Sequence, residues 1–184
     1  MSWIPPVIRA WEKISSSSKI LTWLYAKPYR KVLENEIRLG KISHNDTVLN
    51  IGCGAVPFTA LFLATLTGAR VYAMDIDHNA VLLAQKCVKK AGLDHRITVL
   101  AGNGADYFDK PFTAAIVALQ ASPKNKIMSV MQESAQPGTK IIFRLPSHPF
   151  KDHYDMLTID EPATAITIQP MRTFDRSALY YKAA

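Results

Sequence analysis

Residues 47–77 read TVLNIGCGAVPFTALFLATLTGARVYAMDID, and the order of residue types in that stretch decides the fold. Thr47–Ile51 is a short, β-branched, apolar run, as expected of a strand covered on both faces. Gly52-Cys53-Gly54 ends it. Two glycines one residue apart let the backbone turn sharply and approach a ligand with no side chain in between. Pro57 falls where a helix best tolerates proline, and Phe58 to Thr67 stay apolar until Gly68 stops them. Arg70 to Met74 forms a second strand that closes on Asp75. Strand, glycine turn, helix, strand and acid make a βαβ unit whose chemistry sits at the carboxyl ends of its strands. The 23 residues from Thr47 to Ala69 carry no charge, which is long enough to suggest a membrane span. The glycine turn and Pro57 interrupt them, so a buried strand and a buried helix are expected instead.

The pattern continues toward the C-terminus. Asp77 is placed to cap a helix in which Ala80, Val81, Ala84, Cys87, Val88 and Ala91 share a face, with Gly92 as its stop. Ile97–Leu100 and Phe112–Leu119 read as further strands. Ser122-Pro123 predicts a cap followed by a first-turn proline. Ile127, Val130, Met131 and Ser134 then follow at helical spacing, to Pro137-Gly138. Lys140–Leu145 is a fifth strand, and Thr164–Gln169 with Ala178–Lys182 predict a closing hairpin. Alternating strands and amphipathic helices predict a doubly wound, mostly parallel α/β sheet with an antiparallel C-terminal hairpin.

The first 40 residues differ from this core. They hold all three tryptophans (Trp3, Trp11, Trp23) and seven basic against three acidic side chains. Ser15–Ser18 break the segment into two helical pieces, and Tyr29, Val32, Leu33 and Ile37 form a stripe ending near Gly40. Pro28 argues against one continuous helix over 19–39. We therefore divide the chain into a helical arm or lid, 1–40, and a core, 41–184, whose sheet needs no element of the arm. A cap over the sheet, an interfacial membrane helix and a dimerisation arm all fit such a composition.

The whole chain, 184 residues, is of single-domain size, with 48% apolar and 20% charged residues. That excludes a coiled coil, a collagen-like rod and a disordered tail. The net charge is +7, but much of the excess lies in the arm. Two cysteines, Cys53 and Cys87, make no disulfide framework and predict a cytoplasmic protein, with Cys87 in the core.

The acid after the second strand, 21 residues beyond Gly54, is placed to accept hydrogen bonds from both hydroxyls of a ribose. A dinucleotide site calls for a third glycine at position 57, where this chain has proline, and proline removes a donor from the helix end where a phosphate would bind. No Walker A pattern occurs. The turn suits a nucleoside without phosphates.

The strings NIGCG, AMDID, LAGNGAD, FTAAIVALQ and PGTKIIFRL, followed by the hairpin, resemble the class I S-adenosylmethionine-dependent methyltransferases from about Thr47 to Lys182. The resemblance implies a Rossmann-like sheet of seven strands and S-adenosyl-L-methionine as cofactor. It places Gly52, Cys53 and Gly54 under the amino-acid end of that cofactor, Asp75 on the ribose and Ile76 on the adenine. Asn103, with Gly104 and Ala105, would meet the adenine edge, where many members carry aspartate. Leu119 and Gln120, after the fourth strand, complete the set.

A narrower likeness, through IGCGAVPFTALFLA, DIDHNA, FTAAIVALQ and IIFRLPSHPF, is to nicotianamine synthase and its opine-metallophore relatives. Those enzymes transfer the aminocarboxypropyl arm of the same cofactor. Pro57-Phe58-Thr59 and Arg144 to His148 carry that likeness, and Tyr29 to Glu36 echo the family's tyrosine- and glutamate-bearing lead-in.

Three readings follow. The first is methyl transfer to a small molecule, the second is aminocarboxypropyl transfer, and the third is a non-catalytic nucleoside-binding or membrane-associated protein. Transfer from a sulfonium needs mainly alignment and the management of one proton, so a sparse catalytic signature is expected. His148, Tyr29 and Glu34 are the candidate catalytic groups, with Tyr25, Arg30 and Glu36 beside the last two. The Asn/Asp-Pro-Pro-Tyr string of nucleic-acid amino-methyltransferases is missing after the fourth strand, which argues against a nucleic-acid partner. His148, Asp152, His153 and Asp155 lie on an irregular segment without the i, i+4 spacing of a helical metal pair, so no metal is expected.

Overall fold

A computed structural model describes residues 19–183, with side chains from Pro28 onward. Trp3 and Trp11, the Ser15–Ser18 break and the side chains of Trp23 and Tyr25 lie outside the described residues. So do the expectations of membrane or dimer contact that rest on them.

The elements run α1 (Lys19–Gly40), β1 (Thr47–Ile51), α2 (Phe58–Thr67), β2 (Arg70–Asp75), α3 (His78–Lys90), β3 (Ile97–Ala101), β4 (Ala114–Val117), α4 (Lys124–Ser134) and β5 (Lys140–Pro146). A 3₁₀-helix (His148–His153) then leads to β6 (Ala165–Ile168) and β7 (Phe174–Tyr181). The seven strands form one sheet in the order β3-β2-β1-β4-β5-β7-β6. The five strands β1 to β5 are parallel, and β7 pairs antiparallel with both β5 and β6. This is the α/β sheet with a closing hairpin that the sequence predicts.

Both faces are covered, so β1 and β4 are buried nearly throughout. On one face Val32 and Leu33 of α1, Ala60 and Leu63 of α2, and Val81, Ala84 and Val88 of α3 pack over Val48, Val71, Ile116 and Ile142. On the other, Ile127 and Met131 of α4 join Phe108 and Phe112 over Leu49, Ile51, Val117 and Phe143.

Local signals hold at most element ends. Gly68 closes α2 in the left-handed conformation at φ 76°, and Asp77 caps α3 by accepting from Asn79 N–H at 2.8 Å. Cys87 is half-buried on α3, less deeply than the core position expected of it. Two expectations need correction. First, α1 runs through Pro28 as one helix. The ring costs it one hydrogen bond to the preceding turn, and burial of Val32, Leu33 and Glu36 holds the turns that follow. That burial also makes α1 part of the sheet's core and not an addition to it. Second, Ser122 does not cap α4. Pro123 occupies the cap position without a side-chain bond, and Asp155, 31 residues beyond Lys124, accepts from both Lys124 N–H and Ser122 O–H.

No helix among the described residues is long and apolar enough to cross a membrane.

Candidate functional site

The carboxyl ends of β1, β2, β3 and β4 meet along one edge, and hydrogen bonds tie the loops that follow them together. Gly52 and Cys53 donate their N–H groups to Met74 O at 2.9 and 3.0 Å. Gly54 donates to Asp75 Oδ2 at 2.7 Å, and Asp77 N–H to Asp75 Oδ1 at 3.0 Å. Gly52 and Gly54 have φ of 78° and 69°, a conformation that glycine adopts without strain. The turn after β1 is thus held by the acid that ends β2.

The loop after β3 joins the same edge. Gly102 N–H bonds Asp75 O at 3.0 Å, and Asn103 Oδ1 accepts from Ala105 N–H at 3.0 Å. Gly104 is required because a Cβ there would collide with Ile51 Cγ2. After β4, Ala118 N–H bonds Ile51 O, Leu119 is buried and Gln120 is exposed. The structure therefore gathers Gly52, Cys53, Gly54, Asp75, Ile76, Asn103, Gly104, Ala105, Leu119 and Gln120 onto one edge.

These residues suit a nucleoside cofactor on three counts. Beyond its chain neighbours, a Cβ built on Gly54 meets no atom of the described residues within 4 Å. The Asp75 carboxylate is half-exposed and pairs with no cation among the described residues, which leaves lone pairs for hydroxyl donors. Ile76 is 69% exposed beside it, an apolar surface that no described residue covers. Burial, reinforced by the Asp75 charge, pushes the Cys53 thiol up to about 12. It is no nucleophile near neutrality.

The catalytic candidates fare differently. Glu34 lies half-exposed on α1 and pairs with Arg30 at 3.0 Å, whose hydrogen bond holds its carboxyl below the usual range. His148 is exposed at the start of the 3₁₀-helix. Tyr29 is half-buried, its ring 5.7 Å from that of Phe58, the first residue of α2 after the glycine turn. The guanidinium of Arg144 lies 5.6 Å from both the Tyr29 and the Phe174 rings. Asp155 accepts from Lys124 N–H at the start of α4, and no metal-binding cluster occurs among the described residues.

The sequence reading named Glu36 and Arg144 but not their pairing, and it missed the buried Lys124. Arg144 grips Glu36 through two hydrogen bonds of 2.8 Å and donates to Thr59 Oγ1 at 3.0 Å, while Ser177 O–H adds a bond to Glu36 at 2.8 Å. Burial opposes the charge on Arg144, yet the Glu36 carboxylate holds its pKa above the ordinary value. Lys124 is fully buried and donates to Leu119 O and Ala121 O at 2.6 and 2.9 Å. A glutamate two residues from Glu34 on an amphipathic helix was the available signal for the first. The second had none, because a lysine beside a proline reads as surface.

Comparison with known proteins agrees with this geometry. A methyltransferase-domain family matches residues 48–138. The L-histidine 2-aminobutanoyltransferase of Yersinia pestis is 29% identical over 120 residues, covering 65% of this chain and 45% of that protein. Nicotianamine synthase 2 of Arabidopsis thaliana is 30% identical over 143 residues, covering 67% of this chain and 44% of that one. The chain thus spans under half the length of these two relatives. A crystal structure of a glutamate-to-glutamine mutant of MtNAS in complex with S-adenosylmethionine superposes with a TM-score of 0.76 at 23% identity, over 86% of this chain and 63% of that one. The sheet order, the glycine turn clamped by Asp75 and these likenesses identify the chain as carrying the class I S-adenosylmethionine-dependent methyltransferase fold, with a narrower resemblance to the nicotianamine synthases.

Proposed function

We propose that this chain binds S-adenosylmethionine and transfers its aminocarboxypropyl arm to the amine of a small, amino-acid-like acceptor. The observation that carries the cofactor assignment is the bond from Gly54 N–H to the Asp75 carboxylate, which fixes a bare turn beside an acid with acceptor capacity to spare. When bound, S-adenosylmethionine supplies a sulfonium flanked by two transferable groups, the methyl and the aminocarboxypropyl arm. The chain's own residues align an acceptor with one of them. Gly52 to Gly54 would accommodate the amino-acid end and Asp75 the ribose hydroxyls, while Ile76 packs on the base and Asn103 offers an amide to its edge.

The preference for the arm rests on the other side of the glycine turn. There α1 brings Tyr29 against Phe58, and Arg144, held by Glu36 and Thr59, lies 5.6 Å from the Tyr29 ring. The half-buried rings of Tyr29 and Phe58 offer an apolar wall of small-molecule size, which suits a small acceptor better than a nucleic acid. The curated relatives named for aminobutanoyl transfer and nicotianamine synthesis point the same way. Methyl transfer is the second reading, favoured by the methyltransferase-domain match over residues 48–138.

Product analysis separates the readings. Incubation with S-adenosylmethionine and a panel of free amino acids should release methylthioadenosine. Release of S-adenosylhomocysteine instead would establish the methyl reading, and neither product would leave a nucleoside-binding protein without catalysis.

A further inference from the structure

The turn after β4 is held by an unusual device. Ala121 N–H bonds Ala118 O at 3.2 Å, closing the turn Ala118-Leu119-Gln120-Ala121. Its other inward carbonyls, those of Leu119 and Ala121, both accept from the Lys124 ammonium. Lys124 is 0% exposed, so its charge has been taken out of water to make those two bonds. The turn in its grip lies directly on the glycine turn. A Cβ on Gly52 would stand 3.0 Å from Ala118 Cβ and 3.8 Å from Ala121 Cβ. With three carbonyls committed, Gln120 is the residue of the turn left facing outward, exposed and with no side-chain partner among the described residues.

We propose that Lys124 is a positioning residue: its buried ammonium clamps the turn after β4 against Gly52, fixing the wall of the cofactor site and presenting Gln120 to the reacting groups. The proposal rests on the reading of the glycine turn as the S-adenosylmethionine site. A buried lysine is a costly way to brace a loop that an apolar side chain could fill, and its cost falls at the one loop that touches the glycine turn from β4.

The clamp carries its own pH dependence. Burial lowers the Lys124 pKa to about 8, against the raising effect of Asp155. The groups that face the ammonium are the carbonyls of Leu119 and Ala121 from the turn and the Asp155 carboxylate from the segment after the 3₁₀-helix. As pH rises through about 8 the amine loses its charge, and its bonds to the turn weaken.

Calorimetric titration with S-adenosylmethionine from pH 6.5 to 9.5, on the wild type, Lys124→Met and Asp155→Asn, tests this. The cofactor's amino group titrates in all three proteins, so the differences between them are the readout. The Met variant should bind roughly tenfold to a hundredfold more weakly at pH 7, the scale of two bonds to a charged donor. That deficit should shrink toward pH 9.5, where the wild-type clamp is discharged. Asp155→Asn should move the wild-type midpoint to lower pH while leaving the circular dichroism unchanged, an effect a merely space-filling lysine would not show. A pH-independent ratio between wild type and Met variant, or an unmoved midpoint in Asp155→Asn, overturns the proposal. Should the Met variant not fold, the Asp155→Asn midpoint alone decides. No binding by the wild type at any pH removes the cofactor reading itself, and this inference with it.

Discussion

Glu36 and Arg144 stand 108 residues apart in the chain and meet in two parallel hydrogen bonds of 2.8 Å, with Glu36 wholly buried and Arg144 2% exposed. The pair joins α1 to β5, and Ser177 extends it to β7. It ties α1 to the part of the sheet that is completed last.

Removing one partner should therefore cost far more than removing both. Glu36→Ala leaves a guanidinium buried and uncompensated, and should lower stability by about 3–5 kcal/mol. Glu36→Leu combined with Arg144→Met should recover most of that loss. Urea denaturation of the wild type, Glu36→Ala and the double variant measures it, and a double variant no more stable than Glu36→Ala would contradict the pairing.

Asp75→Ala removes both the clamp on Gly54 and the acceptor offered to ribose hydroxyls. S-adenosylmethionine affinity should fall about tenfold to a hundredfold, the scale of about 1.5–3 kcal/mol for hydrogen bonds to a charged group. Undiminished affinity by calorimetry would remove Asp75 from the site.

Gly104→Ala should destabilise by about 1–3 kcal/mol, because the new Cβ overlaps Ile51 Cγ2 at the end of β1. In an Ile51→Ala background the same change should cost much less. The coupling from a double-mutant cycle in thermal unfolding checks the contact.

Asp46 gives the fold an acid limit. Burial alone would raise its pKa, but the bond from Lys140 at 2.8 Å, with Ser43 N–H and Thr113 O–H, outweighs it and leaves the folded value below the ordinary one. The stabilisation is complete above the unfolded carboxyl's pKa and is lost as pH falls through the folded value. Asp46→Asn should be less stable by on the order of 1–2 kcal/mol at pH 7. The gap should close in urea titrations below about pH 4.

The meeting of the glycine turn with Asp75 was legible because it is built from short-range signals. Strand periods, two glycines and an acid 21 residues on lie within one βαβ unit, where spacing implies proximity. The same logic failed wherever the partner came from far along the chain. Ser122 was expected to cap α4, but the acceptor is Asp155. Pro28 was expected to break α1, but contacts over 100 residues distant hold that helix. Glu34 and Glu36 are indistinguishable in a helical stripe until β5 brings Arg144 beneath one of them. Lys124 shows no local mark of burial at all.

The span between Glu36 and Arg144 also sets a schedule during synthesis. At roughly 5–20 residues per second, the ribosome delivers Arg144 on the order of 5–20 s after Glu36. Through that interval α1 displays Val32 and Leu33 and carries a carboxylate whose burial is not yet possible. A nascent chain stalled before residue 140 should accordingly be a substrate for chaperones that shield apolar helices, and release should coincide with the arrival of β5 and β7.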